Sequence, residues 1–295
     1  MRLFLLTALT MMAFAGNPLL TRAGVTTGGL DPVEFAVVRL GSGAIVLALL
    51  CLTLRGGLRL GGKGRLIGVA SLLLYLFGFS AAYKGLDSGV GALVLFGMVQ
   101  ITMFAGSLLV REDMPLRRYL GAGLAMVGLG WLLWPTGAAA LSPVHGLMMA
   151  AAGIGWGLYS LAGRKEPDAL QATAANFIVG SGVAIVIGLV VTQGSLIRMV
   201  TQDASALGLW LAVTSGAITS GLGYALWYAV LPKLAGSVAA VAQLTVPVIT
   251  MAGGMLWLGE SLTLRFVLAS VLVIGGVILS VRPTRQGGSK RSSGS

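Results

Sequence analysis

The chain is built from apolar stretches about as long as a bilayer is thick, with most of its Lys and Arg gathered in short segments between them. A hydrocarbon core of about 30 Å takes roughly 20 helical residues to cross, and within it each backbone polar group must find its partner inside the protein. Read with that ruler, residues 3–23, 32–54, 66–86, 88–110, 119–135, 144–163, 170–192, 206–230, 234–258 and 262–281 form ten spans. The expected fold class is therefore all-α, a polytopic membrane bundle of ten transmembrane helices. Only 10% of the 295 residues are charged and the mean hydropathy is +0.93. Soluble domains carry about 25% charged residues, so a water-soluble globule is excluded. Collagen is excluded too, because the 45 glycines follow no Gly-X-Y period.

A net charge of +11 raises the question of nucleic acid. A nucleic-acid binder gathers its basic residues into a patch with polar and aromatic neighbours. Here they cap apolar runs, so the partner is the lipid bilayer and no nucleic acid is expected. With residue 1 on the cytoplasmic side, fifteen Lys and Arg fall on that side and only Arg22, Lys84, Arg198 and Arg265 on the other. The positive-inside rule then puts both termini in the cytoplasm and the chain in the inner membrane. Arg2, an apolar run and Ala13-Phe14-Ala15 also resemble a cleavable secretory signal. The repeat described next requires that helix to stay. The segment 284–295, rich in Gly, Ser and basic residues, reads as a disordered tail.

Shifting the sequence by 148 residues lays 86–135 on 234–283. Ile101-Thr102-Met103 then meets Ile249-Thr250-Met251, and Glu112, Leu116, Arg117 and Pro135 meet Glu260, Leu264, Arg265 and Pro283. Upstream the offset drifts: Gly41-Ser42-Gly43 answers Gly180-Ser181-Gly182, and Phe14 answers Trp156. Residues 1–135 and 144–283 thus read as two five-helix repeats. Five is odd, so the second enters the bilayer inverted. Inverted repeats place a substrate site near the midplane, between the halves.

Polar and aromatic side chains deep in the spans are the candidates for such a site, since each needs a partner or a wet cavity. Asn17 precedes Pro18, Gln243 precedes Pro247, Gln100 is central to the fourth span and Asn176 lies in the seventh. Proline frees a carbonyl one turn back, so amide and carbonyl groups together suit an ammonium or a carboxylate. Tyr75 and Trp156 are too central for an interfacial belt and read as cavity walls; Tyr159, in the same span as Trp156, is a further candidate. Trp131, Trp134, Trp227 and Tyr228 fall near span ends, where a belt is the default. Arg39 is the one basic residue set well inside a span rather than at its end. It reads either as a functional charge or as a side chain that snorkels to the outer surface. Dense glycine, as in Gly153-Ile154-Gly155-Trp156-Gly157, reads as close helix packing.

Several motifs fail on their own chemistry. Gly57 to Gly62 followed by Lys63 imitates a phosphate loop, but Gly64 stands where the Mg²⁺-holding hydroxyl belongs. One histidine, His145, and one cysteine, Cys51, leave no metal cluster and no disulfide framework. A serine nucleophile at Ser181 lacks a base. No catalytic residue, metal or cofactor is expected, and no acidic pair at mid-bilayer offers proton or Na⁺ coupling, which favours facilitated diffusion.

Asp31-Pro32-Val33-Glu34-Phe35 leading to Arg39 and Gly43, and Leu256-Trp257-Leu258-Gly259-Glu260-Ser261-Leu262-Thr263 before a glycine-rich last helix, resemble the drug/metabolite transporter superfamily. Within it the sequence is similar to the EamA family, and in length and layout to amino-acid exporters of the YddG type. The resemblance covers residues 1–283. It implies movement of small metabolites, often outward, through a cavity lined by the first four helices of each half. The fifth and tenth helices would lie outside it or at a dimer contact, giving a monomer or weak homodimer. The leading expectation is an exporter of amino acids and related metabolites working by alternating access. The alternatives are efflux of drugs or organic cations and, in a different class, a membrane enzyme or scaffold without a transport cycle.

Overall fold

The computed structural model describes residues 1–109, 115–134, 142–163, 166–193, 205–234 and 242–281. They form α1 (Arg2–Val25), α2 (Pro32–Arg55), α3 (Arg65–Ala82), α4 (Ser88–Leu109), α5 (Leu116–Leu133), α6 (Pro143–Gly163) and α7 (Ala169–Val191). Next come α8 (Ala206–Val230), α9 (Thr245–Trp257) and α10 (Leu264–Val281). Seven of these, α1–α4 and α6–α8, are long and apolar enough to cross a membrane. Helices α9 and α10 are shorter apolar helices, and α5 carries Arg117 and Arg118 in its first turn. Of the span expected over 234–258, Thr245–Trp257 is regular helix and 235–241 lie outside the described residues.

Local sequence sets the ends of the elements. Asp31 caps α2 by accepting from Val33 N–H at 2.9 Å, Glu34 reaches back to the Asp31 N–H, and Pro32 stands at the first helical position. That is a capping box, with proline where its missing donor costs nothing. Gly56, at φ 68°, ends the helix in the left-handed conformation. Asp168 caps α7 through Leu170 and Gln171 N–H. After α9, Gly259 takes φ 67° and the Glu260 N–H bonds back to Gly254 O at 3.1 Å. The Glu260 carboxylate then accepts from Ser88 N–H at 2.7 Å and Ser88 Oγ at 2.6 Å. The Leu-Gly-Glu-Ser element thus turns one helix off and caps the start of α4. Glu112, its counterpart in the repeat, lies outside the described residues.

An anion held at a helix N-terminus by two hydrogen bonds contributes about 1–2 kcal/mol. Glu260→Ala is accordingly expected to lower the apparent melting temperature in detergent by several degrees. Glu260→Gln, which keeps one acceptor, should lose less; equal melting of all three proteins would refute the cap.

Helix packing is close because small residues meet backbone. A Cβ at Gly155 would lie 2.7 Å from Tyr75 N and 2.8 Å from Ser71 O of α3, and one at Gly153 would lie 2.9 Å from Leu95 O of α4. These glycines read correctly as packing positions. The largest packings join α3 with α6, α1 with α8, α2 with α7, α4 with α6 and α9, α2 with α8, and α5 with α10. The α5–α10 pair is zipped through Gly121, Gly128 and Gly276. One end of the bundle carries residue 1 and the α2–α3 and α6–α7 connections. There Arg55 Nε bonds Asp168 at 2.7 Å and Gln171 Nε2 donates to Gly57 O. The opposite end carries Arg22, Asp87, Ser88 and Glu260.

Helix α8 is not a uniform α-helix. Ser215–Leu222 form a π-helical segment between Ala206–Thr214 and Gly223–Val230. A π turn carries more residues per turn than an α turn and often marks a functional site. Here it turns Ser215, Thr219 and Ser220 together toward α1 and α2.

Candidate functional site

The site is built where α1, α2, α3, α6 and α8 converge. On α1, Asn17 is buried and its Oδ1 accepts from Ser215 Oγ at 2.9 Å, from Thr219 Oγ1, and from Ser220 Oγ at 3.3 Å. Its Nδ2 donates to Thr219 O at 3.4 Å. Pro18 follows it inside the helix. One amide thus gathers three hydroxyls that the π segment brings to one side.

Ser220 passes this network to Arg39. The guanidinium is fully buried, at 0% exposure, so the snorkelling alternative is set aside. Its Nε donates to Ser220 Oγ at 3.1 Å and its Nη2 to Tyr75 Oη at 2.9 Å. The rings of Tyr75 and Phe79 lie 5.4 Å and 5.0 Å from its central carbon, within cation–π range. Among the described residues the ion pairs are Arg22–Asp87 and Arg55–Asp168; Arg39 belongs to neither.

Aromatic rings complete the cluster. Trp156 lies 5.0 Å from Tyr75, 5.0 Å from Tyr224 and 5.5 Å from Tyr159, on which it stacks. Phe14 meets Tyr224 and Trp227 at 5.8 Å each. Phe14, Asn17, Pro18, Tyr75, Phe79, Leu95, Phe96, Trp156 and Tyr224 line a cavity of about 20 Å³. That volume holds about one water molecule. The expected central chamber is therefore closed down in this conformation. Larger clefts open at the ends: about 540 Å³ beside Arg55, Arg65 and Asp168, and about 340 Å³ beside Arg22, Asp87 and Glu260.

Of the residues singled out from sequence, Asn17, Arg39, Tyr75 and Trp156 come together here. Tyr159 and Asn176 form a neighbouring layer nearer the end that carries residue 1. Tyr159 Oη donates to Thr173 Oγ1 at 3.3 Å, and Asn176 Oδ1 accepts from Arg65 Nη1 at 2.6 Å. Arg65, counted from sequence as a loop charge, reaches in to bond Ala172 O as well. Gln100 on α4 and Gln243 before α9 are half-buried and line none of these walls. Trp227 is buried at 6% exposure against Phe14, which corrects its assignment to an interfacial belt. Ser215, Thr219, Ser220 and Tyr224 were not picked as site residues. The hydroxyls gave no periodic signal, because the register change inside α8 is what aligns them.

A bundle of long apolar helices with a buried polar and aromatic core is a multi-pass membrane protein. Residues 145–282 match the EamA-like transporter family. An uncharacterized protein of Pseudomonas aeruginosa is 43% identical over 283 residues, covering 96% of this chain and 95% of its own length. A probable amino-acid metabolite efflux pump of Salmonella typhimurium is 25% identical over 237 residues, covering 75% of this chain and 76% of its own. The uncharacterized transporter YoaV of Bacillus subtilis is 22% identical over 263 residues, covering 85% and 87%. A solved crystal structure shares the fold, with a TM-score of 0.63 at 18% identity over 95% of this chain and 96% of that one. The class is thus a membrane transporter, and this chain belongs to the EamA-like transporter family.

Proposed function

We propose that the protein exports amino acids and related small metabolites across the inner membrane, with both termini cytoplasmic, by alternating access around the Asn17–Arg39–Trp156 cluster. The observation that carries this reading is the cluster itself: amide, hydroxyl and aromatic groups around a one-water cavity, with a cleft at each end of the bundle. Neutral groups line the cavity and the Arg39 guanidinium lies behind the Tyr75 and Phe79 rings, an arrangement suited to a zwitterion. The name of the Salmonella relative points the same way.

Ten spans arranged as two inverted repeats, 1–135 and 144–283, account for the helix pairing. Exchanging each helix with the one five later turns the α3–α6 contact into α8–α1, α4–α6 into α9–α1 and α2–α8 into α7–α3, all of which occur. The α2–α7, α4–α9 and α5–α10 contacts map onto themselves. Rocking one half against the other would break Arg55–Asp168 at one end and Ser88–Glu260 at the other in turn. The peripheral α5–α10 pair would stay as a fixed seam, compatible with a monomer or weak homodimer. No proton or Na⁺ coupling is proposed, so movement follows the amino-acid gradient.

A counterflow panel tests this. Proteoliposomes preloaded with unlabelled amino acid are expected to take up labelled L-phenylalanine, L-methionine or L-threonine well above protein-free vesicles, and to ignore a sugar phosphate. Absence of flux for every amino acid, or efflux of a cationic dye that excess amino acid leaves unchanged, would reject the proposal.

A further inference from the structure

Arg39 carries a charge that no ion pair among the described residues neutralises. Its Nε and Nη2 are committed to Ser220 and Tyr75, while Nη1 is buried without any hydrogen-bond partner. The side chain has no contact with water and, among the described residues, no carboxylate within ion-pair distance. A buried cation of this kind is costly unless paired, and in a membrane helix it marks a substrate or ion pathway. Guanidinium is also the side chain best matched to a carboxylate, being planar, permanently charged and able to donate from two nitrogens. Tyr75 and Phe79, which cover its faces, are at the same time walls of the central cavity. A group that enters this cavity and shifts the Tyr75 ring would reach the guanidinium behind it.

We infer that Arg39 is the anion-binding residue of the transport cycle: its Nη1 receives the carboxylate of the substrate, and the site selects carboxylates over cations. This rests on the transport reading and narrows it, since the same unpaired charge repels organic cations from the cavity. Ser220 and Tyr75 act as positioning residues that hold the guanidinium flat. Asn17 acts through them, fixing Ser220.

The test uses the full chain in lipid nanodiscs and three probes of one skeleton: 3-phenylpropionate, L-phenylalanine and L-phenylalaninamide. Wild-type protein is expected to bind the two carboxylates at least tenfold tighter than the amide, read by calorimetry. Arg39→Gln should lose at least tenfold for both carboxylates and stay within twofold for the amide. Equal binding of acid and amide by the wild type, or an undiminished preference in Arg39→Gln, overturns the inference. Should Arg39→Gln not fold, Arg39→Lys serves. A lysine places all its donors on one nitrogen, so it cannot span Ser220 and Tyr75 as two guanidinium nitrogens do and offer a third nitrogen to the carboxylate; the preference should fall at least threefold, and an unchanged preference again overturns it. The two proposals fail separately. Arg39-dependent carboxylate binding without amino-acid counterflow would sink the transport reading alone. Counterflow that treats acid and amide alike would sink only the carboxylate site.

Discussion

Gly216→Ala is expected to cost the protein its transport and much of its stability, although the change adds a single methyl group. Gly216 sits where α8 crosses α2, and its added Cβ would fall inside the contact radii of Arg39 O and Ser42 Oγ. The opposing surface is equally tight, since a Cβ on Gly43 would lie 3.0 Å from Gly216 O and 2.8 Å from the Phe177 ring. Neither backbone has room to give, so the helices must separate. Overpacking of this kind costs about 1–3 kcal/mol. It also draws Ser220 away from Arg39, so counterflow should fall more than tenfold. Gly182→Ala is the matched control, because nothing lies within 4 Å of its added Cβ. It should leave flux unchanged and hold or slightly raise the melting temperature, as alanine favours helix by about 0.5–1 kcal/mol over glycine. Equal behaviour of the two variants would show that the crossing is not a close contact.

Asn17→Leu carries the second large effect. Leucine has the same branch point and the same count of side-chain heavy atoms but removes the acceptor shared by Ser215, Thr219 and Ser220. Hydrogen bonds between membrane helices average about 0.6 kcal/mol and reach about 1.7. The combined loss is therefore about 2 kcal/mol, enough to lower the melting temperature without preventing folding. Transport should suffer more than stability, by over tenfold, because Ser220 then no longer orients the guanidinium. Asn17→Asp keeps the acceptor for the hydroxyls and should recover most of the stability. It also places a carboxylate in the network of Arg39, so carboxylate probes should bind it more weakly than wild type. Full flux in Asn17→Leu would remove the amide from the site.

Much of the architecture was legible because it follows from solvent. Long apolar runs bounded by charge must be helices in lipid, and Asp31-Pro32-Val33-Glu34 announces its own helix start through capping chemistry. Asn17, Arg39, Tyr75 and Trp156 were recognisable because a polar or amphipathic side chain at depth needs a partner. What sequence did not reveal depends on register and reach. The π segment Ser215–Leu222 has the composition of an ordinary apolar helix, and its extra residue per turn is invisible to a 3.6-residue period. Arg65 looked like a loop cation because its place in the chain says nothing of where a long side chain ends; it reaches Ala172 and Asn176. Trp227 looked interfacial by its distance from the end of the span, but the face it occupies packs on Phe14.

The indoles exposed on the outside of the bundle all lie toward the end opposite residue 1. Trp131 and Trp134 sit beside Arg265, Trp257 ends α9 next to Glu260, and Trp210 lies two residues from the contact between Gly208 and Gly28. Trp156 and Trp227 are interior. The molecule therefore wears its accessible fluorophores on one leaflet. A water-soluble collisional quencher added to sealed vesicles would dim most of the surface emission in one insertion direction and little of it in the other, so the protein carries a built-in optical marker of which way it faces.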